Sequence, residues 1–181
     1  IGMAKDEAKT LSKLAQVHIY KEKWPEAQGC LTRSQTIFAD VGAEDYLPEL
    51  ERRWGEFYLK TAEFNQALAH TARSVELAQA QNNPLEEGKS CRMLGRIHLA
   101  RAEFEAAGDA LQRSMKIFED LESKSEIAKT GLVLARLALE TARLEEAKPY
   151  LAQAKKTFHS LAAKADLAEI HQLEERLNRN R

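Results

Sequence analysis

The chain repeats itself every 40 residues, and this period constrains its fold more than any other feature. The clearest set of equivalent positions is an alanine column at Ala27, Ala67, Ala107 and Ala147. A large apolar residue stands three positions before each alanine, namely Trp24, Phe64, Phe104 and Leu144. A fixed period of about 20 to 50 residues is typical of architectures in which similar units stack on their neighbours.

Apolar and small residues recur within each unit at spacings of three and four, which places them on one face of a helix. Large residues followed by small ones form a second set of columns: Leu14-Ala15, Trp54-Gly55, Leu94-Gly95 and Leu134-Ala135. The pattern predicts two helices per unit, helix A over about residues 5 to 20 and helix B over about 24 to 40, with equivalents 40, 80 and 120 residues later. Small residues at these columns allow the helices to approach closely.

Three prolines refine these boundaries. Pro25 stands at the predicted start of a helix B and Pro84 at the start of a helix A. A missing N–H costs little at a helix start, and Asn83 is suited to cap the helix that follows it. Pro149 falls inside the fourth helix B, where we expect it to remove a backbone hydrogen bond and kink the helix.

Composition supports helices and excludes several classes of protein. Only 8 Gly and 4 Pro leave few residues for the turns of a β-sandwich or barrel. The net charge of -1 gives no whole-chain attraction for nucleic acid or an anionic membrane. Cys30 and Cys91 are isolated, so neither a zinc site nor a disulfide framework is predicted. The sequence has neither a long apolar run nor a signal-peptide pattern, so we expect a cytoplasmic protein without membrane contact.

Two segments resemble the tetratricopeptide repeat, whose pattern is W-x-x-L-G-x-x-Y followed by A-x-x-x-F. The better match is Cys91-x-x-Leu94-Gly95-x-x-His98 with Ala107-x-x-x-Leu111. A second match is Trp54-Gly55-x-x-Tyr58 with Ala67-x-x-x-Thr71. The resemblance covers nearly the whole chain and implies an all-α, right-handed superhelical solenoid of helix-turn-helix repeats. Its period of 40 rather than 34 predicts longer helices, similar to arrays in bacterial signal-transducing ATPases and transcription activators.

The period divides the chain into four repeats and a terminal helix. We place the repeats at about residues 4–43, 44–83, 84–123 and 124–163, and a capping helix at about 164–178. Glu174-Glu175 stand where the large-small pair would recur, which suits the polar outer face of a capping helix. Ile1-Gly2 align with Val41-Gly42, where a helix B ends. We therefore expect a segment excised from a longer protein, with its first helix A exposing surface that an upstream repeat would cover.

The resemblance implies that extended peptides bind along the outward-facing side chains of successive A helices. These columns hold ten basic residues against three acidic ones, Glu49, Glu56 and Glu140. Arginine binds carboxylates and phosphates through two parallel hydrogen bonds, so the columns favour an acidic ligand. The predicted groove residues are Lys9, Lys13, Tyr20, Arg52, Arg53, Lys60, Lys89, Arg92, Arg96, Lys129 and Arg136. Our hypothesis is a protein-interaction scaffold that binds an acidic peptide or helix, as a regulatory or docking module of a larger protein.

Other interpretations of the same residues remain open. The cations can be ordinary solvated positions of amphipathic helices. A nucleic-acid-binding helical repeat is the second function, although Tyr20 is the only aromatic residue of the groove set that could stack on bases. A ligand-sensing module of a transcription regulator is the third, by analogy of fold alone. The family's clamp for C-terminal carboxylates is poorly matched, because only Lys89 agrees with it, so chaperone-tail binding is not predicted.

Catalysis is not predicted. His18 and His98 share a column with Tyr58, which is a packing position, so we interpret both histidines as structural. The sequence contains no phosphate-binding, dinucleotide, metalloprotease or serine-nucleophile motif. We therefore expect a chain that is not an enzyme and has no catalytic residues, cofactor or metal.

The alanine column yields a direct test. Substitution Ala107→Leu should overpack the contact between helices and lower the free energy of unfolding by about 1 to 3 kcal/mol. Thermal or urea unfolding measures the change. A variant with the stability of the parent chain would show that the predicted register of the repeats is wrong.

Overall fold

The computed structural model describes residues 2–179, and the prediction of an all-α chain is confirmed. This part of the chain contains nine α-helices and one short 3-10 helix, with no β-strand. The α-helices are α1 (Gly2–Tyr20), α2 (Trp24–Asp40), α3 (Leu47–Lys60), α4 (Phe64–Ala80), α5 (Pro84–Ala100), α6 (Phe104–Asp120), α7 (Lys124–Glu140), α8 (Leu144–Ser160) and α9 (Lys164–Arg179). The 3-10 helix is Glu44–Tyr46, immediately before α3.

The chain divides into two compact units at a boundary inside α5. The first unit is Ile1–Met93 and the second is Leu94–Arg181. In the first unit α1 packs on α2 and α3 on α4, and the core includes Leu31, Phe38 and Trp54. In the second unit α7 packs on both α6 and α8, and α9 covers α8 and α7. Phe158 and Ile170 lie in the core that α9 completes.

All the α-helices are joined by turns with one shared geometry. The second residue after each helix has positive φ, and these residues fall at intervals of 20: Glu22, Gly42, Ala62, Asn82, Ala102, Glu122, Ala142 and Ala162. The next residue donates its N–H back to a carbonyl near the helix end, as Lys23 does to His18 at 2.9 Å and Arg143 to Ala138 at 2.8 Å. This is the Schellman motif, which satisfies carbonyls left unpaired at a helix end.

The turn geometry explains the length of the repeat. Helices α2, α4, α5, α6, α7 and α8 each contain 17 residues. Adding three turn residues gives 20, and two such modules give the period of 40. Before α3 the 3-10 helix replaces the first helical turn, since its 3 residues and the 14 of α3 again make 17.

The predicted small columns lie at the contacts between helices. Ala27, Ala67, Ala107 and Ala147 are all 0% exposed. Serines also recur with the period of 40 at Ser34, Ser74 and Ser114, where they are fully buried and form hydrogen bonds. Ser74 Oγ donates to the Pro48 carbonyl at 2.5 Å and lies 2.7 Å from Ser90 Oγ. Ser114 Oγ lies 3.2 Å from Thr130 Oγ1 in the second unit, so both hydroxyl pairs join a helix B to the next helix A.

Gly95 is required by the close approach of α6. A Cβ atom at this position would lie 2.5 Å from Leu111 Cγ, which is inside van der Waals contact. Gly55 is equally confined, because its Cβ would lie 2.1 Å from Thr71 Oγ1. Alanine occupies this column in α1 and α7, so these two glycines mark the tighter helix pairs.

Several predicted boundaries need correction. Helix α1 begins at Gly2 rather than near residue 5, so Gly2 is helical while Gly42 adopts φ of +64° in a turn. Ile1, on which the predicted alignment also rests, lies outside the described residues. Helix α8 continues through Pro149 without a break, and its first turn tightens through a 3.0 Å bond from Glu146 N–H to the Arg143 carbonyl.

One other prediction is confirmed. Asn83 caps α5, because its Oδ1 accepts the Glu86 N–H at 3.1 Å. Helix α1 exposes apolar side chains whose equivalents elsewhere are buried. Leu14 and Val17 are 41% and 46% exposed, whereas Leu134 and Leu137 in α7 are 5% and 2% exposed.

The left-handed turn residues are a source of strain that glycine would relieve. Ala102 adopts φ of +58° on the surface, so Ala102→Gly should raise the free energy of unfolding by up to about 1 kcal/mol in urea titrations. The matched control is Ala152→Gly in the exposed middle of α8, which should lower it by about 1 kcal/mol because glycine is a poor helix former. A loss of stability at both positions would contradict this account of the turns.

Candidate peptide-binding surface

The predicted groove residues all lie on the A helices, but their exposure differs. Lys13, Tyr20 and Lys60 are exposed, and Arg53 is buried. The remaining members are partly buried: Lys9, Arg52, Lys89, Arg92, Arg96, Lys129 and Arg136.

Arg52 connects α3 to the first half of α5 in the first unit. Its Nε donates to Glu86, and the two side chains are only 11% and 7% exposed. The second oxygen of Glu86 lies 3.4 Å from Lys89 Nζ. Burial acts to lower the pKa of Arg52, but the Glu86 carboxylate outweighs burial and the net pKa is raised. Arg52 therefore remains charged within a pair that positions α3 relative to this half of α5.

The prediction that Arg53 faces outward is wrong. Arg53 is 5% exposed, and its Nη2 donates to Glu49 Oε1 at 2.5 Å. The same column in α5 and α7 holds Met93 and Val133, which are also buried, so this column points toward packed side chains. Burial acts to raise the pKa of Glu49, but Arg53 overcomes this effect and the net pKa is lowered.

Lys9 contacts one acidic and one aromatic side chain. Its Nζ is 3.2 Å from Asp6 Oδ1 and 4.7 Å from the centre of the Tyr46 ring. Hydrogen bonding with Tyr46, and then with Asp6, raises the pKa of Lys9. Lys5 Nζ lies 4.7 Å from the same ring centre, so two ammonium groups contact one aromatic ring.

The groove cations of the second unit are also paired. Lys129 Nζ lies 3.0 Å from Glu126 Oε1 on the same helix, and Arg136 Nη2 lies 2.7 Å from Glu169 Oε1 on α9. Arg96 takes part in further interactions within the described chain, as Arg92 does in the first unit.

The sequence count of ten basic against three acidic residues therefore overstates the positive charge. It left out Asp6, Glu86 and Glu126, which stand one helical turn before a groove lysine, and Glu169 on α9. Asp6, Glu86 and Glu126 could be recognised in the sequence from their i,i+3 spacing to lysine. Glu169 could not, because it lies on another helix.

A pocket opens beside Lys9 in the first unit. Its volume is about 190 Å³. The lining residues come from α1, the end of α2, the 3-10 helix and α3, and are Lys9, Ser12, Lys13, Phe38, Tyr46 and Glu49. The hydroxyl of Ser12 is buried and has no hydrogen-bond partner among the described residues.

Sequence reasoning missed a cluster around His70. Its Nδ1 lies 2.6 Å from Glu51 Oε2, and its ring stacks on Trp54 and Tyr58 with centroid distances of 5.9 and 5.2 Å. Arg73 Nε lies 3.4 Å from the other oxygen of Glu51. No second repeat contains this combination, so the column analysis gave no signal for it.

Two other histidines agree with the structural role predicted for them. His98 is partly buried and its Nδ1 lies 2.7 Å from Glu103 Oε2, while His18 is partly buried in α1. Hydrogen bonding from His98 lowers the pKa of Glu103.

Among residues 2–179 no group of three or more His, Cys, Asp or Glu side chains is arranged to hold a metal ion. No helix in this range is long and apolar enough to cross a membrane.

Searches against known proteins place the fold. No protein-family model and no curated protein matches the sequence. Aspartyl phosphate phosphatase F from Bacillus subtilis matches in structure with a TM-score of 0.77 at 14% identity, over 97% of this chain and 49% of that one. A Rap protein in complex with competence and sporulation factor matches with a TM-score of 0.81 at 12% identity, over 92% and 46%. The chain thus spans about half the length of these two proteins.

A third structure that matches this chain contains tetratricopeptide repeats by its own description. A signal transduction ATPase with numerous domains from Pyrococcus horikoshii, which has a tetratricopeptide repeat sensor, matches with a TM-score of 0.72 at 16% identity, over 92% of this chain and 26% of that one. The fold is that of tetratricopeptide-like repeats. The resemblance inferred from Leu94, Gly95 and Ala107 is therefore confirmed at the level of fold.

The Arg52–Glu86 pair yields a stability test. Substitution Glu86→Gln leaves a buried guanidinium without its carboxylate and should lower the free energy of unfolding by about 3 kcal/mol. Urea unfolding measures the loss. The matched control is Glu76→Gln on the exposed face of α4, which should change stability by less than about 0.5 kcal/mol. Equal effects of the two substitutions would show that the pair does not stabilise the unit.

Proposed function

We propose that this chain is a protein-binding module that binds an acidic peptide or helix through the cations of its A helices, as a regulatory or docking part of a larger protein. The observation that carries the proposal is the recurrence of lysine at equivalent positions of α1, α5 and α7, namely Lys9, Lys89 and Lys129, together with the cations Arg52 and Lys60 of α3. Lys13 on α1 and Lys60 on α3 are exposed, and Lys9 on α1 and Lys89 on α5 are partly buried.

The internal ion pairs are compatible with ligand binding. An arginine carries five N–H donors, and the contact of the partly buried Arg136 with Glu169 uses one of its nitrogen atoms. Pairing also holds the long side chains in place, which reduces the conformational entropy that a ligand must remove. The acidic ligand would add a second carboxylate to cations that are already positioned.

The structural neighbours support a binding role. The Rap protein was solved with competence and sporulation factor, and the repeats of the ATPase are described as a sensor. A nucleic-acid ligand has less support, because Tyr20 is the only aromatic residue of the predicted groove set that could stack on bases.

Fluorescence polarisation tests the proposal with a labelled glutamate-rich peptide and its lysine-for-glutamate twin. We expect the acidic peptide to bind, the basic one not to bind, and the affinity to fall at least about tenfold between 50 and 300 mM salt because exposed charges are screened. Equal binding of both peptides, without salt dependence, would refute the proposal. A single-stranded RNA that binds more tightly than the acidic peptide would favour the nucleic-acid function instead.

A further inference from the structure

The fourth repeat lacks an ion pair that joins helix A to helix B in the first repeat. There Arg33 on α2 pairs with Glu7 on α1. The equivalent positions in the fourth repeat hold Gln153 on α8 and Ile127 on α7. An uncharged pair therefore replaces the ion pair between these two helices, and one carboxylate is removed from the site.

A lysine beside this position also lacks its acidic neighbour. In the third repeat Lys116 Nζ lies 3.9 Å from Asp120 Oδ2, four residues later on α6. The lysine recurs in the fourth repeat as Lys156, but Ser160 takes the place of the aspartate. Among residues 2–179 neither Lys156 nor Lys124 at the start of α7 has an ion pair. The same unit pairs its other lysines of α7 and α8, namely Lys129, Lys148 and Lys155.

A pocket of about 470 Å³ opens at this site in the second unit. Lys124 and Ile127 line it from α7, Lys156 and Ser160 line it from α8, and Leu161 lines it from the turn after α8. No Asp or Glu of the described chain is among the lining residues. The volume lies in the range of small-ligand sites, which is about 300 to 1,000 Å³. The pocket therefore combines two unpaired cations with two apolar side chains.

This pocket is separate from the predicted peptide groove. An α-helix turns by about 100° per residue, so Ile127 and the groove residue Lys129 lie on nearly opposite sides of α7. The lining of the pocket shares no residue with the predicted groove set. A ligand in this pocket is therefore independent of the proposed function.

We propose that this pocket binds a small phosphate monoester with an apolar body. The ammonium groups of Lys124 and Lys156 match the two negative charges of the phosphate, and the lining holds no carboxylate that would repel them. Ile127 and Leu161, which is 54% exposed, supply apolar surface for the body of the ligand. A monocarboxylate would leave one ammonium group without a partner, and inorganic phosphate would leave the apolar side chains uncovered.

Titration of the intact chain with phenyl phosphate tests the pocket by NMR of backbone amides, at constant ionic strength and about pH 8, where the phosphate is a dianion. We expect saturable shifts confined to residues 124–128 and 153–161. Benzoate has the same ring with one charge, and inorganic phosphate has the charge without the ring, so each should bind about fivefold more weakly. Shifts elsewhere, no saturation, or equal binding of either control compound would overturn the proposal.

Lys156 and Lys116 provide a matched pair of variants, because they occupy the same column of two repeats and both are exposed. Lys156→Gln should weaken phenyl phosphate binding about fivefold, whereas Lys116→Gln, outside the pocket lining, should alter it less than about twofold. Ser160→Asp places the aspartate of the third repeat next to Lys156 and should also weaken binding about fivefold. Ser160 is exposed, so urea unfolding of this variant should match that of the parent chain. Equal effects of the two lysine variants, or undiminished binding by Ser160→Asp, would overturn the pocket.

The glutamate-rich peptide distinguishes this pocket from the peptide groove. Lys156→Gln should change the affinity for that peptide by less than about twofold, because the groove lies on the other side of α7. If Lys156→Gln weakens the peptide and phenyl phosphate alike, the pocket is part of the peptide-binding surface and the separate site is overturned. If phenyl phosphate binds as expected but the peptide does not bind, the proposed function fails and the pocket stands.

Discussion

The fold depends on a backbone hydrogen bond that closes the same turn after each of the first eight helices. A helix of 17 residues and a three-residue Schellman turn together form a module of 20 residues. Because every module has this length, equivalent side chains fall at equivalent positions along successive helix pairs. Ala27 and Ala107 are fully buried for that reason. Glycine relieves the left-handed strain only at Gly42, and the other seven turns carry a side chain in that conformation. The packing of whole helices outweighs that strain.

The regular turn also determines how charge is arranged on the A helices. Where a helix A begins normally, an acid in its first turns pairs with a lysine three residues later, as Glu86 does with Lys89 and Glu126 with Lys129. The 3-10 helix before α3 breaks this arrangement and introduces the Tyr46 ring instead.

The sequence predicted the packing better than the charge interactions. The column that includes Ala67 and Ala147 can be recognised in the sequence because alanine recurs at the same position of each repeat. The bounds of the B helices, such as Phe104–Asp120, follow from such columns. The turns were less visible, since residues such as Glu122 and Ala142 have no intrinsic preference for positive φ. The start of α3 was missed because a 3-10 turn and an α-helical turn share most of their sequence signals.

The pairing of Arg52 could not be predicted from the columns. Its partner Glu86 lies 34 residues away on another helix, and their contact depends on the rotation of both helices about their axes. His70 and Glu51 present the same difficulty within a single repeat. A comparison of the repeats identifies only the residue types that they share. A contact that occurs in a single repeat leaves no periodic signal in the sequence.

Counting cations on a helix face therefore gives a poor measure of its attraction for an acidic ligand. A buried pair such as Arg52 with Glu86 is almost neutral at a distance, because its two charges cancel beyond a few ångströms. Long-range steering by this surface is correspondingly weak, and salt screens what remains at the exposed Lys13 and Lys60. Recognition must then come from donors that touch the ligand.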